Sequence, residues 1–429
     1  MHPTARLQRL LHQARVTVAA PSRNARTAVV IGRLLALGFL ICMVTGVFSH
    51  FHQDPLPWMV FPTRPVWLYQ FTQGLHVVTG VACIPLLLAK LYAVFPQLLQ
   101  HPPVRSAAHL VERASIAVFV AASLMQLAIG LLNTYQLFPV FGFSFRLVHY
   151  ALAWVVVGSL LIHIGVKLPV IAAHWTKRRS GSADDDDDEP PLDTPDELQR
   201  LTGVRPTAGM TGRLFAWIDR APAPAGDDPR VATSRRAFFA TVGASTAVLV
   251  TFTVGQTLGA LNPVNLFAPR KRTFGPQALP VNRTASAAGV LDLAVAPDWT
   301  LTVAHGQTRE VFPLSRLRAL PQHDVVLPIA CVEGWSQDAA WRGPRVRDLL
   351  DAVGAPPEAT VRITSLQQRG GFGVTEMTPE FVRDPLTLVA LELNGEVLDL
   401  DHGYPARIIA PARPGVLQTK WLSSIEVIA

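Results

Sequence analysis

The sequence predicts two architectures in one chain: an N-terminal all-α transmembrane four-helix bundle with a fifth anchor helix, and a C-terminal α+β domain. Three observations predict it. Four stretches of helical length are predominantly apolar, a fifth follows an acidic, Pro-rich interruption, and the residues beyond it alternate short β-like runs with Pro and Gly turns. With 429 residues, of which 49% are hydrophobic, the chain is long enough for two or three domains and too apolar for an ordinary soluble enzyme.

The apolar stretches run from Thr27 to Ser49, Phe71 to Phe95, Arg113 to Leu132 and Arg146 to Ala172, within a membrane domain over 27–175. Residues 1–26 carry Arg6, Arg9, Arg15, Arg23 and Arg26 and no acid, and Lys177, Arg178 and Arg179 follow the fourth stretch. Positive charge gathers on the cytoplasmic side, so both ends of the bundle are expected there. The same placement of cations at the ends of apolar segments argues against nucleic acid as the partner of a chain with net charge +7, and makes membrane lipid the expected surroundings.

Residues 176–234 read as a cytoplasmic linker, acidic and Pro-rich, with Asp184 to Asp188 as solvated charge and "DELQRLTG" and "GRLFAWIDR" as short helical pieces. The fifth segment, 235–261, opens on "SRRAFF"; Arg235 and Arg236 with Phe238 and Phe239 resemble a twin-arginine export signal, retained as an anchor. An odd crossing leaves residues 262–429 outside the cytoplasm, in a bacterial cytoplasmic membrane protein. There "DLAVAP", "LTVAHG", "VVLPIA", "VRITSL", "LTLVALELNG", "ARIIAP" and "SIEVI" read as strands and "RVRDLLDAVG" as a helix.

Cys331 stands alone in that domain, since Cys42 and Cys83 fall within apolar helices. Its thiolate is the metal-binding form, and ligation would both use and protect it; a buried hydrophobe-like cysteine is the other reading. "CVEGWS" at Cys331, followed by "NGEVLDLDHGYPARIIAPARPGVLQTKWLSSIEV", resembles the molybdopterin-binding domain of the sulfite oxidase superfamily. The resemblance implies that Cys331 ligates molybdenum, that His402, Arg407 and Lys420 hold the phosphate end of the pterin, and that Asn282 and Arg283 in "PVNRTASAAG" add contacts. Glu333 follows the cysteine where sulfite oxidases proper place an arginine-bearing stretch, which disfavours an anionic substrate and nominates Glu333 for proton supply, beside a purely structural role. The wording is nearer to methionine sulfoxide reductase catalytic subunits.

In the bundle, His76 and His149 are expected at similar depth and can sandwich one b haem, while His163, fourteen residues past His149, returns to the same helix face about 21 Å along. That spacing resembles four-helix membrane b-type cytochromes. A second haem would need His109 opposite His163, with His50 as a substitute outer ligand; cross-helix hydrogen bonding by these histidines is the bland alternative. The function expected is a molybdopterin-dependent oxidoreductase coupling haem and quinone electron transfer to oxygen-atom transfer on a small-molecule or protein sulfoxide. Reverse flow, with a small substrate oxidised and quinone reduced, stays open, as does a non-catalytic binding module.

Overall fold

The computed structural model describes residues 25–95, 107–135, 137, 142–173, 175 and 235–428. Five helices, α1 (Ala25–Gln53), α2 (Leu68–Val94), α3 (Ala107–Thr134), α4 (Phe145–Ala173) and α5 (Arg235–Thr253), are long and apolar enough to cross a membrane. They show little hydrophobic sidedness, and Leu37, Leu40, Leu147, Leu161 and Leu168 are exposed along them, the pattern of helices solvated by lipid. The linker, its two helical pieces and Arg6, Arg9, Arg15 and Arg23 lie outside the described residues, and Arg26 falls in the first turn of α1.

The fifth segment departs from the sequence reading. It ends as an α-helix at Thr253 and continues as two 3₁₀ turns, Val254–Gln256 and Gly259–Val264. Gly255 permits this: a Cβ there would sit 2.5 Å from the carbonyl oxygen of Leu261, too close for any side chain in this turn.

The α+β domain holds three sheets. A five-stranded sheet is built from β1 (Thr300–His305), β2 (Thr308–Pro313), β5 (Val361–Ser365), β6 (Val374–Met377) and β11 (Leu422–Val427), ordered β2-β1-β11-β5-β6. β1 and β11 run parallel, so the end of the chain closes the sheet begun at its start. A second sheet orders β3 (His323–Ala330), β4 (Ser336–Gly343), β8 (Glu392–Leu393) and β9 (Glu396–Val397), and β7 (Leu388–Ala390) pairs with β10 (Arg407–Ile409). One core packs Leu301, Val303, Phe312, Ile363, Ile408 and Ile425; another gathers Leu327, Ile329, Trp335, Trp341 and Leu393 around Cys331.

"DLAVAP", expected as a strand, overlaps the short helix Leu291–Ala294, because a segment of this length is set by what it packs against. β2 and β4 were not legible as strands. In β4, "SQDAAWRG", the outward positions carry polar and small residues, so its hydrophobic content is low despite clean alternation of burial. Its last residue, Gly343, has no room for a side chain, since a Cβ would lie 2.0 Å from the oxygen of Val389. Gly343→Ala is therefore expected to cost about 3 kcal/mol and lower the thermal midpoint by on the order of 10 °C, measured by the loss of tryptophan fluorescence on heating.

The described chain divides into two compact units. One of them joins Ile41–Val81 and Ile129–Tyr150, portions of all four bundle helices, with everything from Leu249 onward. The α+β domain is thus packed with the ends of α1–α4 rather than standing alone. Arg64, in the α1–α2 connection, makes a two-pronged ion pair with Asp384 (2.7 and 3.1 Å), and Ala412 donates its N–H to Val66 (3.2 Å).

Candidate active site

β3 delivers Cys331 at its end, where the chain must reverse into β4. The backbone N–H of Cys331 bonds the oxygen of Trp335 (2.9 Å) and Gly334 donates to Cys331 (3.0 Å), closing a tight turn with Gly334 at φ +95°. Glycine is required there twice over, by that φ and because a Cβ would lie 3.0 Å from Val77 of α2. The thiol is 2% exposed. Burial, and then the Glu333 carboxylate, push it well above the ordinary thiol range, against the pull of the Glu333 backbone N–H, Arg270 and Lys420. A thiolate here needs a directly bound cation to persist, which is what a ligated metal supplies.

Helix ends hold this loop from beneath. Gln70 donates to Ser336 (3.4 Å), Asn133 to the carbonyl of Val332 (3.3 Å), Gln256 to that of Glu333 (3.4 Å) and the Thr257 hydroxyl to that of Gly334. Val77, against Gly334, is the residue next to His76.

The cationic group expected from the C-terminal motif is brought together. Gly403, at φ +109°, is wedged so that a Cβ would meet Lys420 Cβ at 3.0 Å and Arg407 Cβ at 3.2 Å. Lys420 Nζ donates to Asn282 Oδ1 (3.1 Å) and to the carbonyls of Arg283 (2.6 Å) and Asp401 (2.8 Å), which ties the early "PVNR" segment to the late motif. The guanidinium of Arg283 lies on the backbone of Gly370, where a Cβ would be 2.2 Å away, and its Nε has no hydrogen-bond partner among the described residues.

Arg407 is turned inward: it donates to the carbonyls of His402 (2.9 Å) and Gln418 (3.3 Å) and lies over Trp341, and burial pushes it down to about 9. His402 bonds the Pro276 carbonyl through Nε2 (2.8 Å) and is held neutral, at about 4, by burial and the positive charge of Arg407. Lys420 is held well below its usual range by burial and Arg407, with Asp401 opposing. Cations outnumber acids at this spot, so the residues fit a phosphate-bearing pterin, whose charge would relieve their repulsion. Lys420→Met strands three acceptors and removes one cation. It is expected to weaken cofactor retention about tenfold or more, read as pterin content of the purified protein.

Arg270 escaped the sequence reading. Its Nε stands 3.7 Å from Glu333 Oε2, so the carboxylate expected to repel anionic substrates is compensated, and that argument loses force. The signal was present: "PRKR" at 269–272 sits just past α5, on the side where the positive-inside rule predicts few cations.

His76 and His149 are brought together, with ring centroids 6.1 Å apart. Nδ1 of His76 is 3.1 Å from the Cys42 carbonyl and 3.0 Å from Thr45 Oγ1, an arrangement that fixes the ring and leaves Nε2 for a metal. Gly46 and Gly130 flank the pair: a Cβ would come within 3.1 Å of His76 Cε1 and 3.3 Å of His149 Cε1. The two imidazoles thus meet edge-on, at 68°, bordered by glycine from α1 and α3. His163 lies elsewhere, stacked on Phe119 at 5.6 Å (22°). His50 stacks on Tyr150 (3.7 Å), and the side chain of His109 is outside the described residues.

Comparison with known proteins matches residues 288–429 to the family model "Oxidoreductase molybdopterin binding domain". Among curated proteins, the chain is 27% identical over 209 residues to sulfite oxidase of Arabidopsis thaliana, covering 40% of this chain and 53% of that protein. It is 31% identical over 111 residues to the uncharacterized oxidoreductase YuiH of Bacillus subtilis (26% and 54%). It is 28% identical over 119 residues to the putative protein-methionine-sulfoxide reductase subunit YedZ1 of Azospira oryzae (28% and 44%). The chain therefore spans about half the length of these relatives. With the cysteine loop and the cationic cradle in place, the C-terminal part of this chain is a molybdopterin-binding oxidoreductase domain of the sulfite oxidase family.

Proposed function

We propose that the protein is a membrane-bound molybdopterin-dependent oxidoreductase that draws electrons from quinol through a b haem and uses them outside the cytoplasm to remove an oxygen atom from a sulfoxide. One observation carries the reading: the turn bearing Cys331 rests on α2 through Gly334 and Val77, beside the facing pair His76 and His149. The residues read as haem ligands and the residue read as molybdenum ligand belong to one compact unit of the chain, which supports the coupling.

When bound, the molybdenum cofactor supplies two-electron oxygen-atom chemistry and the haem supplies one-electron transfer. This chain's residues hold and orient them. Cys331 would be the thiolate ligand, and Lys420, Arg283 and Asn282 would line the phosphate end of the pterin, with Arg407 and His402 bracing the cradle. Glu333, paired with Arg270, is placed to hold a proton, which sulfoxide reduction consumes. His76 and His149 would supply the imidazole nitrogens that hold one haem; a second haem at His163 stays part of the proposal only through His109. Arg235 and Arg236 are read as a twin-arginine signal that exports the folded domain.

The relative named as a putative protein-methionine-sulfoxide reductase subunit favours the reductive direction, and the sulfite oxidases favour the reverse. The protein purified in detergent is assayed for metal and pyridine haemochrome, then for turnover of methionine sulfoxide with a reduced quinol and of sulfite with a quinone. About one molybdenum and one b haem per chain with quinol-dependent sulfoxide loss is expected; sulfite-dependent quinone reduction alone would reverse the direction, and absence of molybdenum would leave a binding module.

A further inference from the structure

Two buried polar side chains, from opposite ends of the sequence and unused by the site above, meet on one aromatic ring. His52, in the last turn of α1, is 4% exposed, and neither ring nitrogen has a hydrogen-bond partner among the described residues. Its ring stacks on Phe61 (4.4 Å, 11°), meets Phe48 and Tyr69 edge-on at 5.4 Å, and touches Phe381 of the α+β domain at 6.0 Å. Arg413, also 4% exposed, places its guanidinium 5.9 Å from the same Phe381 ring and acts on His52 electrostatically.

Arg413 spends one nitrogen on the Glu376 carbonyl (2.6 Å), while Nη1 has no partner among the described residues. No acid offsets it. Asp384 pairs with Arg64, the Glu376 carboxylate pairs with Arg362, and burial alone pushes Arg413 down to about 9. A buried charge without a counter-charge is costly, and an aromatic wall cannot repay it. A guanidinium fork with an imidazole nearby is the donor set that small oxyanions take, because several oxygens can each accept a hydrogen bond.

We propose that Arg413 and His52, walled by Phe61 and Phe381, form a binding site for a small inorganic oxyanion of the sulfate kind, separate from the pterin phosphate cradle. The loop that carries Arg413 also carries Gly415, where a Cβ would lie 2.7 Å from the Ala330 oxygen and 3.4 Å from Cys331 Cα, so the anion would sit one loop away from the thiolate turn. His52 belongs to a membrane helix and so stands outside residues 288–429, the part shared with the family. The proposal holds whichever direction the enzyme runs.

The test is equilibrium dialysis of the full cofactor-loaded chain in detergent against radiolabelled sulfate at millimolar concentration, with sodium chloride fixing the ionic strength. Wild type is expected to retain about one sulfate per chain, displaced by unlabelled phosphate. Arg413→Met keeps the volume and removes the charge, and His52→Phe keeps the ring and removes its nitrogens; each is expected to weaken retention at least tenfold with haem absorbance and molybdenum content unchanged. Arg413→Lys, which keeps a charge without the fork, should fall between. No retention above background by wild type, or equal retention by wild type and both variants, overturns the site; the wild-type result decides even where a variant fails to fold.

Discussion

Cys331→Ser is expected to abolish turnover, by more than about a hundredfold, and to strip molybdenum from the purified protein while leaving the b haem in place. Loss of an outer-shell partner of a metal ligand already costs about 10–100-fold, so loss of the ligand itself sets a larger effect. Serine keeps the shape of the turn: the Cys331 N–H to Trp335 and the Gly334 N–H to Cys331 are backbone bonds that the substitution does not touch. What changes is the atom at a site where burial strongly disfavours an anion. An alkoxide is far harder to form there than a thiolate, and a neutral hydroxyl is a poor soft-metal ligand. Metal analysis beside the haemochrome spectrum checks this, and retained molybdenum in the serine variant would remove Cys331 from the role of ligand.

The second large effect is expected from His76→Ala, which should lower b-haem content by about tenfold or more and stop quinol-driven turnover, while reduction of the substrate by an artificial dye continues. The imidazole is held through Nδ1 against Cys42 and Thr45 and faces His149, so alanine removes one of two facing donors and leaves Thr45 and the Cys42 carbonyl without that partner. His163→Ala is the companion. If the reduced-haem spectrum falls in the His163 variant and stands in the His76 variant, the pairing proposed here is wrong. Gly46→Leu offers a subtler version, since it fills the space beside the ring while keeping both histidines.

Much of the fold was legible because lipid and β-sheet each impose a pattern on composition. Apolar length marked the helices, and Val/Ile-rich runs between turns marked β1, β3, β5, β10 and β11. β4 was not legible, because a strand whose outward face is polar and whose inward face is Ala, Trp and Gly has no apolar run to see. The cradle could be named from its motif, but not the division of labour inside it. Arg407 is committed to two carbonyls and a tryptophan face, whereas Lys420 stitches the early and late segments together. Arg270, His52 and Arg413 were missed for one physical reason. Their meaning comes from partners 63, 361 and 361 positions away in the sequence, and local patterns carry no record of such distances.

The seating of the Cys331 turn on Gln70, Val77, Asn133, Gln256 and Thr257 has a consequence for how the protein matures. Gln70, Val77 and Asn133 lie upstream of the domain that carries the thiolate, on α2 and α3, and Gln256 and Thr257 lie just past α5. A version of the chain trimmed to begin after α5 would lose the contacts of Val332 with Asn133, of Gly334 with Val77 and of Ser336 with Gln70, and keep those made by Gln256 and Thr257. Shaping of the cysteine turn therefore draws on helices that precede its domain as well as on the domain's own sheets.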